Sequence, residues 1–282
     1  MKTISFVIPT IGKSEKLPDL IEKVKNFSND AQIILIDNSK EGHSNLKFNK
    51  FGVEYFYLAE GGVSKSRNFG ASKVKSDFVY FLDDDVLPDS EWKNALKEIL
   101  TNPGYENSLI GGSVFVSESI KKLVPRKYSF LVGEKILGNH DRILNYNYLA
   151  GCNIIFDTQV FNKLGGFPEE YGHKEEKIIL NEEIYLQEKA RKMSFVIYYK
   201  NKLSVTHYWK GDERVFIDRV KNQGMYDRKL DSQLNRQRLF LRMLKYLVLI
   251  PFKFVCTYLL NQKNSSHHFD LLKYISYVRY KV

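Results

Sequence analysis

Cysteine is scarce, with two in 282 residues, Cys152 and Cys256, far apart in the chain. Neither a disulfide framework nor a zinc-ligand spacing can be built from them, so a reducing compartment is the default. No apolar run reaches the ~20 residues that a bilayer-spanning helix needs. The nearest candidate, residues 244–260, carries Lys245 and Lys253 and is split by Pro251. The N-terminal stretch MKTISFVIPTIGKSEK has only a short apolar segment, interrupted by Pro9, which is too short for a secretory core and reads as a first strand. The body is therefore expected in the cytoplasm. Internal repeats, low-complexity tracts, a G-x-G-x-x-G after a strand, and helix-turn-helix or RNA-recognition patterns are all missing. With 43% hydrophobic and 27% charged residues, the chain is neither disordered nor collagen-like.

Charge is present in excess but unevenly placed. Lys and Arg number 43 against 33 Asp and Glu, a net of +10. Residues 191–282 hold 19 basic and 6 acidic residues (+13), and residues 1–190 hold 24 and 27 (−3). An acidic body with a basic tail suits chemistry in the body and attachment to something anionic in the tail, either nucleic acid or an anionic membrane leaflet. Aromatic residues reach 14%, which suits a surface meeting sugars, bases or lipid headgroups.

The pattern along the chain is α/β. Residues 3–9, 32–36, 53–58 and 78–82 read as buried strands. A helix carrying Leu17, Leu20, Ile21 and Val24 on one face follows the first, and another suits 64–74. Pro88 opens a helix running to Leu100. Strands are expected at 109–116, 148–156, 194–199 and 203–208, a helix at 182–192, and a long active-site loop over 118–147. This alternation predicts a mixed, mainly parallel sheet flanked by helices, with a catalytic domain over 1–211 and a basic, amphipathic helical region over 212–282. In that region 244–260 suits an in-plane amphipathic helix flanked by Arg236, Arg238 and Arg242.

In such a sheet, ligands bind beyond the carboxyl ends of the strands. Pro9-Thr10, Asp37 and Asp83-Asp84-Asp85 close three of them. Three adjacent carboxylates repel one another, and a bound divalent cation removes that cost; oxygen ligands suit Mg2+ or Mn2+.

The motifs PTIGK (9–13), SRNFG (66–70), FLDDDV (81–86), AGCNIIF (150–156), GGFPEE (165–170) and NEEIYL (181–186), in that order, resemble a family-2 glycosyltransferase with the GT-A, Rossmann-like fold. The resemblance covers roughly 3–210 and implies an inverting, nucleotide-sugar-dependent transferase. Pro9 and Thr10 would line the base pocket, and Asp37 would accept from a uracil N–H. Arg67 and Asn68 would face the nucleotide, with Arg67 near the diphosphate. Asp83 would hold the ribose beside Asp84, and Asn153 would lie near the donor sugar. Asp85 would hold the metal, with His207 completing its shell. Gly165-Gly166-Phe167 would form the turn beneath the acceptor site. The base is usually the Asp of a Glu-Asp pair; here Glu182-Glu183 stands in its place, so Glu183, or else Glu182, would take the acceptor proton. The pair Glu175-Glu176 competes for that position.

Processive relatives carry Gln-x-x-Arg-Trp, whereas here Gln233-Leu-Asn-Arg236 is followed by Gln237. The expected reaction is therefore transfer of one sugar, UDP-linked by preference, to a glycan or lipid-linked acceptor in surface polysaccharide synthesis. The enzyme would sit peripherally at the cytoplasmic face of the membrane. The alternatives are a nucleic-acid-binding protein using the basic tail, or a sugar nucleotidyltransferase, although the latter should open with a Gly-rich basic loop.

Overall fold

The computed structural model describes residues 1–28, 31–42, 52–173, 178–259 and 266–280. The chain forms two compact units. One gathers Met1–Ser117, Gly133–Glu170 and Glu182–Trp209; the other gathers Glu118–Val132, Tyr171–Asn181 and Lys210–Val282. The strands are β1 (Ile4–Thr10), β2 (Gln32–Asp37), β3 (Glu54–Tyr57), β4 (Phe78–Leu82), β5 (Val86–Pro88), β6 (Ser108–Val116), β7 (Arg142–Ile143), β8 (Asn153–Asp157) and β9 (Val196–His207). The helices are α1 (Leu17–Phe27), α2 (Val63–Ala71), α3 (Trp92–Thr101), α4 (Glu118–Leu123), α5 (Thr158–Leu164), α6 (Glu182–Lys192), α7 (Glu213–Leu234), α8 (Arg236–Phe254) and α9 (Ser266–Arg279).

The first unit is one mixed sheet in the order β3-β2-β1-β4-β8-β6-β9-β5, with β7 on β9. β1 to β4 run parallel, so Thr10 pairs with Asp37 and both close their strands at the edge where β4 ends. Side chains alternate between the two faces. Phe6, Ile8, Tyr80 and Leu82 join the core under α1 and α3, and Val7, Val79 and Phe81 join the core with α5 and α6. Both faces are covered, as a parallel sheet requires.

Several expected boundaries move. The strand expected over 148–156 begins only at Asn153. The two strands expected at 194–199 and 203–208 are the single β9, held along its length by β6. Pro88 closes β5 on the outside of the sheet, where its missing N–H costs no ladder bond, and α3 starts at Trp92. The 118–147 segment contains α4, a 3-10 turn at Arg126–Val132 and β7.

The second unit is helical. Tyr277 donates to Asp231 at 2.9 Å between α9 and α7, and Arg228 donates to the carbonyls of Tyr277 (3.2 Å) and Val278 (2.8 Å) near the end of α9. Asp270 accepts from Tyr128 at 2.6 Å and pairs with Lys127 and Lys253. Among the described residues no helix is long and apolar enough to cross a membrane.

Phe81, two residues before the aspartate run, packs against Phe156, Phe161 and Phe167 with ring centroids 5.9, 5.2 and 5.1 Å away. Phe81→Ala is expected to lower the unfolding free energy by about 3–5 kcal/mol, measured by urea denaturation followed by circular dichroism. A loss under ~1 kcal/mol would show that this cluster does not support the strand end.

Candidate active site

The parallel strands deliver Thr10, Asp37 and Asp83 to one edge, and the β5–β9 pairing brings a fourth group there. Val86 stands opposite His207, so Asp85, just before Val86, meets the imidazole. Asp85 Oδ1 lies 3.1 Å from His207 Nε2. The carbonyl of Asp85 also accepts from the Tyr208 backbone N–H at 2.8 Å. Gly133, at φ +91°, lies against this imidazole, where a Cβ would sit 2.2 Å from Nδ1.

The three aspartates are separated by their partners. Asp83 accepts from Arg67 Nη2 at 2.7 Å. Asp84 accepts from the Thr10 hydroxyl at 2.5 Å, and its backbone carbonyl accepts from Ser14 at 2.7 Å. Burial pushes the Asp84 carboxyl up to about 7, aided by Asp85 and Asp83 and opposed by the Thr10 hydrogen bond. Asp85 is left beside His207. Among the described residues no group of three His, Cys, Asp or Glu side chains forms a self-sufficient metal cage. One carboxylate and one imidazole nevertheless fit a divalent cation that draws its other ligands from substrate phosphates and water.

Arg67 joins this edge to a second pair of carboxylates. It is 2% exposed and donates from Nη1 to Glu182 Oε1 at 3.0 Å while holding Asp83. Burial works against its charge, but Asp83 and Glu182 outweigh burial and raise its pKa. The guanidinium also lies 5.2 Å from the centroid of the Phe167 ring. Both arms of the guanidinium hold carboxylates of the protein.

Glu183, the next residue on α6, keeps part of its surface exposed. Desolvation first, and the adjacent Glu182 second, push its carboxyl up to about 8, with Arg67 and Lys135 opposing. Glu182 is thus a partner of Arg67, and burial raises the carboxyl of Glu183 beside it. Glu175-Glu176 lies outside the described residues.

The other expected site residues are bonded within the protein. Asn153 is fully buried: its Oδ1 accepts from Tyr80 at 2.5 Å, and its Nδ2 donates to the Ser113 and Leu203 carbonyls at 3.1 and 2.8 Å. It ties β8 to β4, β6 and β9. Asn68 is committed to the Gly-Gly-Phe turn, exchanging two 2.8 Å hydrogen bonds with the backbone of Phe167. Gly166, at φ +76°, is pressed so close that a Cβ would lie 2.7 Å from Asn68 Oδ1. Pro9 is buried in β1 opposite Ile36, and the Thr10 carbonyl accepts from Asn38 N at 2.8 Å. Asp37 is 1% exposed and accepts from Ser39 N at 2.9 Å and Tyr55 Oη at 2.7 Å.

Lys135 escaped the sequence reading, since nothing in a basic loop singles it out. Its backbone bridges to Val114 with two 2.8 Å hydrogen bonds, and its charge acts on Glu183 while burial lowers its own pKa.

Arg67→Met should leave the buried Glu182 and the half-buried Asp83 without a counter-charge and cost about 3 kcal/mol of stability, read from thermal and urea unfolding. Arg67→Lys should recover less than half of the loss, because one ammonium cannot fork to both acids. Full recovery by Lys would contradict the bridging geometry.

The sequence matches the family described as glycosyl transferase family 2 over residues 5–165, more than half of the chain. A glucosyl-dolichyl phosphate glucuronosyltransferase of Haloferax volcanii is 26% identical over 190 residues, covering 62% of this chain and 58% of that protein. The poly(ribitol-phosphate) beta-N-acetylglucosaminyltransferase TarP of Staphylococcus aureus is 34% identical over 118 residues, covering 38% of this chain and 35% of that one. The chain thus spans less than two thirds of these curated relatives. Among solved structures, the mannosyltransferase PcManGT of Pyrobaculum calidifontis, in complex with GDP-Man and Mn2+, aligns with a TM-score of 0.61 at 10% identity, covering 99% of this chain and 87% of that one. GalNAc-T7 with UDP, GalNAc and Mn2+ aligns at 0.54 and 16% identity, covering 82% and 48%. At such identities the likeness concerns the fold, which is GT-A.

Proposed function

The chain belongs to glycosyl transferase family 2, and we propose from that premise that it transfers a single sugar, with inversion, from a nucleotide-sugar to a hydroxyl group. A UDP-sugar is the favoured donor, and a glycan or lipid-linked molecule of surface polysaccharide synthesis is the acceptor. The observation carrying this reading is the buried Arg67 bridge, which joins the aspartate strand end to the carboxylate pair of α6. Support for a lipid-linked acceptor comes from the glucosyl-dolichyl phosphate in the name of the Haloferax relative, and support for a metal-assisted donor from the Mn2+ of the two structural neighbours.

Asp85 and His207 would hold the divalent cation, Mn2+ or Mg2+. When bound, such an ion would neutralise the charge developing on the leaving nucleoside diphosphate. Glu183 would take the proton of the acceptor hydroxyl as its oxygen bonds to the anomeric carbon. The bond from that carbon to the diphosphate breaks, and its electron pair departs with the nucleotide. Arg67 holds Glu182 away from this proton and adds positive charge beside Glu183. Lys135 also favours the ionised base.

With a panel of nucleotide-sugars and Mn2+, release of nucleoside diphosphate should be greatest with a UDP-sugar. Asp85→Ala should reduce metal-dependent turnover by about 10²-fold or more; retained turnover would remove Asp85 from the metal site.

The raised pKa of Glu183 predicts its own signature. A base must be ionised, so the transfer rate should climb as pH rises through about 8. Glu183→Gln should bind donor normally by calorimetry yet lose transfer. An active variant with an unchanged pH profile would assign the base elsewhere.

A further inference from the structure

One face of α8 is covered and the opposite face is apolar as well. Leu239, Met243, Leu249 and Ile250 pack with Tyr246 against Tyr274, Tyr277 and Val278. Of the 18 large hydrophobic residues exposed among the described residues, nine lie between Phe240 and Tyr258. Phe240 (63% exposed), Leu244 (47%), Leu247 (52%), Val248 (75%) and Phe252 (57%) recur at helical spacing and form a continuous stripe. A helix that has already buried one face in a water-soluble protein normally turns polar residues outward, so the exposed stripe needs an occupant.

Charge identifies that occupant. α8 contains no acidic residue, and of its basic residues Arg236 and Lys245 are exposed, whereas Arg238, Arg242 and Lys253 are partly covered. The neighbouring acids are turned inward: Asp231 and Asp270 are each 1% exposed, bound to Arg242 (2.9 Å) and Lys253 (2.7 Å) respectively. Arg238, Arg242 and Lys245 also line, with Leu241 and Tyr246, a cavity of about 490 Å3 at the start of the stripe. An apolar stripe beside basic side chains, on a helix unable to span a bilayer, is the arrangement of an in-plane interfacial helix.

We propose that the outer face of α8 is a docking surface for an anionic lipid bilayer. Phe240, Leu244, Val248 and Phe252 enter the acyl boundary, and the exposed Arg236 and Lys245 meet headgroup phosphates. The inference does not rest on the transfer reaction, because vesicle binding is measured without donor or acceptor.

The test uses the full chain and sedimented vesicles of phosphatidylcholine, with or without 30 mol% phosphatidylglycerol (~30% anionic lipid mimics a charged leaflet). The wild-type chain should bind the anionic vesicles at least ten times more strongly than the neutral ones. The triple variant Phe240→Ser, Val248→Ser, Phe252→Ser, with circular dichroism unchanged, should lose at least ten-fold in binding. Separately, Val248→Trp should blue-shift its emission with vesicles and be quenched by brominated lipid. Unchanged binding by the triple variant, or no quenching at Val248→Trp, would overturn the proposal. So would a lipid-free dimer, seen by light scattering, that the triple variant dissociates, because a second copy would then be the occupant.

Discussion

A buried arginine held between two carboxylates organises the catalytic unit. Removing a guanidinium from water is costly, and Arg67 tolerates it because Asp83 and Glu182 meet its two arms at 2.7 and 3.0 Å. These partners lie 16 and 115 residues away, so the contact ties the end of β4 to the start of α6. Phe167 lies beside the guanidinium, and Asn68, the residue after Arg67, grips the same Gly-Gly-Phe turn through the backbone of Phe167. One charge cluster therefore aligns β4, α2, the turn and α6.

The same contact sorts five carboxylates that look alike in the sequence. Asp83 and Glu182 are committed to Arg67. Asp84 is turned to Thr10 and desolvated, Asp85 stands beside His207, and Glu183 is raised to about 8. Carboxyl groups with different environments can serve as ligand, counter-ion and base within one site. The unusual Glu at position 183 fits this division, since Glu182 beside it absorbs the arginine.

The second unit follows a different rule. Three of its acids, Asp227, Asp231 and Asp270, pair with cations of the same unit. Its helices bury tyrosines on their shared faces, as in the stacked Tyr246–Tyr274 pair with centroids 4.1 Å apart. This internal bonding allows the outer face of α8 to be apolar without loosening the bundle.

Alternation of apolar residues and the positions of Asp37, Asp83 to Asp85 and His207 at strand ends were readable from the chain, because side-chain period and strand termination are local properties. So were the order of motifs and the basic character of the C-terminal third. Local pattern did not reveal that Arg67 would be buried between Asp83 and Glu182. Nor did it reveal that Asn153 would be consumed by Tyr80, Ser113 and Leu203, or that a loop lysine, Lys135, would act on Glu183. Those outcomes depend on distances between residues far apart in the chain and on the desolvation that folding imposes. Only the tertiary structure decides either one.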